Sequence, residues 1–148
     1  MVKFLIATHG DLASGFKSSL GIILGKEMAD LVETVNAFTR DENPKEAIDN
    51  LIASLGKGDQ LVIFSDWMNG SVNQICTPHA SEDKVYVVTG ANLPLICEVL
   101  GDMGGAARVS ENALRAAVDR AKNEVRYVND LFRSSEHLGG LTDEDSFF

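Results

Sequence analysis

A three-layer α/β domain built on a parallel sheet is predicted by three features of the chain. Four short apolar segments, near residues 2–8, 31–37, 61–65 and 84–89, each have the length of a strand. Between them lie segments whose apolar residues recur at helical spacing, and such alternation builds βαβ units with helices on both faces of the sheet. The first, third and fourth apolar segments stop at His9, Asp66 and Gly90. In open parallel sheets, ligands and chemistry gather at the carboxyl ends of strands.

Residues 2–8 are continuous and apolar apart from Lys3 and Thr8, the pattern of a strand covered on both faces. Gly10 and Gly15 bracket the turn into a helix predicted over 12–24. Leu12, Phe16, Leu20 and Ile23 or Leu24 are expected to face the sheet, with Gly25 as the stop. Alternation over 31–37 is weaker, with Leu31, Val35 and Ala37 apolar, which places this strand near an edge. Asn43-Pro44-Lys45-Glu46 is a helix start: Asn43 caps, proline takes the first helical position and Glu46 follows the cap by three. Ala47, Ile48, Leu51, Ile52 and Leu55 form its buried stripe, and Gly56 ends it.

Leu61-Val62-Ile63-Phe64-Ser65 reads as the central strand. A short helical segment at about 71–79 is broken by Pro78, and a fourth strand follows over 84–89. Pro94 opens a helix carrying Leu95, Ile96, Val99 and Leu100, after which Gly101, Gly104 and Gly105 mark a loop. Ser110 caps a last helix running to about Asn123, with Ala113, Leu114, Ala117, Val118 and Ala121 on one face. The chain divides into a domain over 1–130 and an acidic C-terminal extension over 131–148. That extension is expected to be flexible, or to dock Phe147 and Phe148 on a partner.

Composition excludes several classes. The formal charge is -9 with a pI near 4.7, and the 13 basic residues form no cluster, which argues against a nucleic-acid partner. Cys76 and Cys97 fall inside apolar segments, as small buried hydrophobes of a reducing compartment. No basic-then-apolar leader and no long apolar run occur, so a cytoplasmic protein without membrane insertion is expected. Nucleotide-loop, dinucleotide and nucleophile-elbow motifs are all missing. His9, His79 and His137 lie far apart with no Cys/His spacing, so neither a metal site nor a cofactor is expected.

His9 and Asp66 are therefore the candidate pair. If the first and third strands are neighbours, their ends lie about 5 Å apart, and Asp66 can accept a hydrogen bond from one ring nitrogen of His9. That bond fixes the tautomer and leaves the other nitrogen free to attack or to accept a proton. Ser71, after the Asn69-Gly70 turn signal, stands at a helix start where a hydroxyl and backbone N–H groups suit an anionic ligand. The alternative is purely structural, with Asp66 capping a turn and Ser71 a helix.

The same residues resemble a known family. Ala7-Thr8-His9-Gly10-Asp11-Leu12-Ala13-Ser14-Gly15 is similar to the signature of the IIA component of the mannose-type (mannose/fructose/sorbose) bacterial sugar phosphotransferase system. Ser65-Asp66 through Gly70-Ser71-Val72-Asn73 resembles its second element, and Gly90-Ala91-Asn92-Leu93-Pro94 its third, in the family's order. The resemblance covers residues 2 to about 125. It implies a sheet in the order 2-1-3-4 and a homodimer in which a C-terminal antiparallel edge strand, here 124–129, is exchanged. It further implies a phosphohistidine carrier that takes its phosphoryl group from HPr on Nε2 of His9. Asp66 would hold Nδ1, and Ser71 would stand near the phosphoryl oxygens. The acceptor would be a histidine of a separate IIB protein, through which the chain would associate with membrane-bound IIC and IID components. A competing expectation is a regulatory or donor module, phosphorylated on His9 but serving a partner such as a dihydroxyacetone kinase. The chain departs from the family pattern at Trp67-Met68-Asn69 and at Val72, where an aromatic-glycine pair and a proline are frequent. These changes bear on partner or sugar subclass more than on the transfer itself.

Overall fold

A computed structural model describes residues 1–39 and 43–137. Strand β1 (Val2–His9) leads into α1 (Leu12–Ile23) and a short α2 (Lys26–Ala29), then β2 (Val32–Ala37) and α3 (Pro44–Ala53). Strand β3 (Gln60–Ser65) is followed by α4 (Ser71–Cys76), which continues as a 3-10 turn over Thr77–Ser81. Strand β4 (Val85–Thr89), α5 (Leu93–Met103), α6 (Glu111–Ala121) and α7 (Val128–His137) complete the described chain. All strand pairs are parallel and the order is β2-β1-β3-β4.

Both faces of the sheet are covered, which is why its central strands read as unbroken apolar runs. On one face Phe4, Ile6 and Phe64 pack with Leu20 of α1, Ile96 and Leu100 of α5 and Leu114 of α6. On the other, Leu5, Ala7 and Ile63 pack with Ile48 and Ile52 of α3 and Val72 and Cys76 of α4. The caps predicted at Asn43 and Ser110 are observed, and Asn92 adds one ahead of Pro94. The Asn43 side chain accepts from the Lys45 and Glu46 amides, Asn92 from Leu95 and Ser110 from Ala113.

Several expectations are corrected. Leu12 is exposed, because the inward positions of α1 are Ala13, Phe16, Leu20 and Leu24, one residue out of step with it. Leu31 lies in the turn before β2, exposed. Gly101 belongs to α5, so the glycine-marked loop begins only at Gly104. Cys76 is fully buried, whereas Cys97 is half-buried. Helix α2 was not anticipated; four residues are too few to show a period. The exchanged strand is absent among the described residues. Residues 122–124 form a 3-10 turn, 125–127 join no sheet, and α7 begins at Val128. Val128, Leu131 and Phe132 recur at helical spacing, which outweighs the brief alternation before them. The acidic run with Phe147 and Phe148 lies outside the described residues.

Phe64 is fully buried in a central strand. Phe64→Ala is expected to cost about 3–5 kcal/mol, read as a lower urea midpoint with an unchanged slope.

Candidate functional site

Two neighbouring strands end side by side. In the parallel register Ala7 lies opposite Ser65, so Asp66 emerges from β3 beside the last residues of β1. Gly10 then turns the chain away at a φ of 60°, a left-handed conformation that glycine adopts without penalty, and its N–H donates to the carbonyl of Ala37 at 3.0 Å. His9 is thereby left at the rim of the sheet on a rigid support.

Asp66 Oδ2 accepts from the backbone N–H of His9 at 2.8 Å and lies 2.8 Å from Nδ1 of the same residue. Its other oxygen accepts from the Trp67 amide at 2.9 Å. Burial works against the charged carboxylate, yet the His9 amide, the His9 ring and the Trp67 amide together hold Asp66 below the ordinary carboxylate range. An ionised carboxylate only accepts, so Nδ1 must carry the proton and Nε2 of the neutral ring presents a lone pair. Ser71 Oγ lies 2.8 Å from Nε2 and donates to it. Ser71 does not cap its helix: Gly70 is the N-cap residue and no side chain caps there, so the hydroxyl is committed to the histidine.

The structure brings His9, Asp66 and Ser71 together, and Ser71 does not cap its helix as the structural alternative has it. Asp66 serves both purposes, bonding its own turn and the histidine. His79, by contrast, directs Nδ1 at Glu82, 2.7 Å away, and Nε2 at Asp49, 3.1 Å away, fastening the 3-10 turn to α3 far from the strand ends. His137 is the last residue of α7.

Phe38 and the close approach of Gly70 to His9 escape the sequence. Phe38 lies with its ring centroid 5.7 Å from that of His9, on a backbone with φ of 63°. Only the register, in which His9 pairs with Ala37, brings it there. Gly70 is constrained by proximity: a Cβ on it would lie 3.0 Å from the carbonyl oxygen of Trp67 and 3.4 Å from Cε1 of His9. Leu12, Trp67 and Met68 are exposed apolar side chains on the segments that follow β1 and β3, Trp67 at 74% and Met68 at 59%. The Gly90 to Pro94 segment acts from beneath. The Ala91 amide donates to the Ser65 carbonyl at 3.0 Å, holding the strand end from which Asp66 departs, while Asn92 caps α5.

No cluster of three or more His, Cys, Asp or Glu suited to a metal ion occurs among the described residues. Beneath the site, burial and then the charge of Asp66 push the Cys76 thiol up to about 12, which keeps it an inert part of the core.

Residues 3–122 match the family described as EIIA-man, PTS system fructose IIA component. The chain belongs to this family. It is a phosphotransferase component of the sugar phosphotransferase system, whose IIA proteins relay a phosphoryl group between HPr and a IIB partner. No curated protein sequence matches it. Among solved structures it is similar to a protein of Klebsiella pneumoniae assigned as a phosphoenolpyruvate-dependent sugar phosphotransferase system permease. That match has 26% identity and a TM-score of 0.79, covering 88% of this chain and 93% of that one. It is also similar to the PTS IIA protein associated with the fucose utilization operon of Streptococcus pneumoniae, with 26% identity, a TM-score of 0.68, and 88% and 96% coverage. A phosphotransferase component EIIA of Streptococcus agalactiae, 18% identical with a TM-score of 0.72 and coverage of 88% and 99%, shares the fold.

The depressed Asp66 fixes the sign of a pH effect. A carboxyl whose folded pKa is lowered stabilises the fold above its ordinary value of 3.8, and that contribution is lost as pH falls through the lowered value. Comparing melting temperatures of wild type and Asp66→Asn in a pH series should show a gap that is full above 3.8 and closes below it. A gap that widens on acidification would contradict the arrangement.

Proposed function

We propose that this IIA protein carries the phosphoryl group on Nε2 of His9, receiving it from phospho-HPr and passing it to a histidine of a separate IIB protein in sugar uptake. The observation that carries this reading is the pair of opposed contacts on one ring: Asp66 at Nδ1 and Ser71 at Nε2. Nε2 attacks phosphorus in line with the departing donor nitrogen. The new Nε2–P bond forms as the donor's P–N bond breaks, and the electron pair of the broken bond returns to the donor imidazole. His9 keeps its Nδ1 proton on Asp66 throughout, and Asp66 balances the charge that develops on the ring as the bond forms. Ser71 turns its hydroxyl from the nitrogen to a phosphoryl oxygen, exchanging one hydrogen bond for another. Delivery to IIB is the reverse process with a new acceptor. The exposed apolar rim of Leu12, Phe38, Trp67 and Met68 supplies a surface for both partners to bury in turn. No helix among the described residues is long and apolar enough to cross a membrane; in this reading the carrier is cytoplasmic and meets IIC and IID only through IIB.

A homodimer belongs to the same proposal. Strand β4 is an edge, and the groove of about 700 Å³ along it is floored by Val85, Val87, Leu114 and Val118. The exposed Val125, Tyr127 and Val128 of a second copy are suited to cover it. Light scattering is expected to give twice the 16.0 kDa chain mass, and Val125→Asp with Tyr127→Asp should return the monomer. A monomeric wild type at micromolar concentration would remove this part.

The central test is intact mass after incubation with phosphoenolpyruvate, enzyme I and HPr. Wild type should gain one acid-labile phosphoryl group and His9→Ala none, with the fold retained. Asp66→Ala should accept more slowly, by roughly tenfold to a hundredfold, without losing the site. Phosphate retained by His9→Ala would overturn the assignment, and unchanged rates would remove Asp66 from it. Acceptance without delivery to any IIB protein would turn the reading to the non-transport donor.

A further inference from the structure

Among the described residues three buried polar residues lie in the core, Thr8, Ser65 and Asn73, and of these Asn73 comes from outside the sheet. Its side chain is buried to 3% residual exposure, and both ends of its amide are used. Nδ2 donates to Ser65 Oγ at 3.0 Å, and Oδ1 accepts from the Asn69 N–H at 3.0 Å. The first partner is the last residue of β3; the second is the apex of the loop that follows it. Asn69 has a φ of 63°, uncommon for a residue with a Cβ although least so for asparagine. Its carbonyl is held as well, accepting from Gln74 Nε2 at 2.7 Å.

This loop sets the two contacts on His9. Asp66 begins it and Ser71 follows it, so the distance and angle between the Nδ1 and Nε2 partners are those the loop imposes. Within it the Gly70 amide donates to the Trp67 carbonyl at 2.9 Å, leaving the Asn69 N–H to find its acceptor in α4. We propose that Asn73 is a positioning residue for His9: its buried amide ties the end of β3 to the left-handed apex at Asn69 and so fixes Asp66 and Ser71 on opposite ring nitrogens. The residue type follows from the contacts. The site needs an acceptor and a donor on one short planar group, in a place where a charge would be costly. Alanine removes both bonds and leaves the Asn69 N–H and the Ser65 hydroxyl without this partner.

The inference rests on the phosphocarrier reading for its catalytic consequence, but its structural content can be read without any transfer. The decisive signal is the ¹⁵N chemical-shift pair of the His9 ring in neutral form, which reports the Nδ1–H tautomer directly. Asn73→Ala is compared with Val72→Ala, a neighbouring α4 residue that is fully buried but has an apolar side chain outside the loop's hydrogen bonds. Both substitutions lower the melting temperature. Only Asn73→Ala is expected to move the ring shifts toward a tautomer mixture, and to slow acceptance from phospho-HPr by about tenfold to a hundredfold, the scale of an ångström of misplacement. Ser65→Ala, which cuts one end of the bridge, should shift the ring the same way by a smaller amount and serves if Asn73→Ala does not fold. Ring shifts unchanged in the Asn73→Ala or Ser65→Ala variant that folds, or moved equally by Val72→Ala, would overturn the proposal. A wild type that shows the fixed tautomer yet takes no phosphate would overturn the carrier reading and leave the positioning role standing.

Discussion

One carboxylate oxygen, Oδ2 of Asp66, joins the backbone nitrogen and the ring nitrogen of His9 at 2.8 Å each, and the arrangement around it follows from that double contact. It is possible only because β1 and β3 are adjacent and parallel and end within a residue or two of each other. The backbone half of the contact fixes where the histidine begins, and the side-chain half fixes which way the ring faces. With the donor nitrogen so assigned, the lone pair on Nε2 has one direction. Ser71 occupies that direction, its hydroxyl 2.8 Å from the nitrogen.

The rest of the fold makes that contact stiff. Two fully covered sheet faces give β1 and β3 neighbours on every side. The Ala91 amide pins the carbonyl of Ser65, and Asn36 at the end of β2 holds the start of α1 through the Ser14 amide and hydroxyl at 3.1 and 2.6 Å. The anchors bracket the histidine from both flanking strands. Positioning of this kind is the main contribution a protein can make to phosphoryl transfer, since little acid–base chemistry is required.

Much of the scaffold was legible in the sequence because the relevant signals are local. Asn43-Pro44 and Ser110 are caps, and Pro94 a helix opener, whose chemistry acts within three or four residues, and the central strands announce themselves by unbroken apolar runs. The strand-end rule singled out His9 and Asp66 without contacts being known. What escaped depended on relations between distant segments. Phe38 reaches His9 only through the β1–β2 register, and Gly70 matters through proximity to a ring sixty residues earlier. Leu12 was misplaced because an apolar residue at the first position of a helix fits the periodic face almost as well as its neighbour Ala13. The segment after α6 was misread because three alternating residues are weaker evidence than the helical spacing of Val128, Leu131 and Phe132 that follows.

In the loop after Asp66, backbone and side chains have separate duties. The Trp67 amide and carbonyl are bound within the loop while its indole, and the Met68 side chain beside it, stand in solvent. At Trp67 the contacts that hold the loop are therefore made by groups that every residue type possesses, and the outward surface by groups that differ between residues. Such a division lets the outward side chains at 67 and 68 change with the contacts on the His9 ring left undisturbed. Here the departure from the family resemblance at Trp67 and Met68 falls on the outward side of that division.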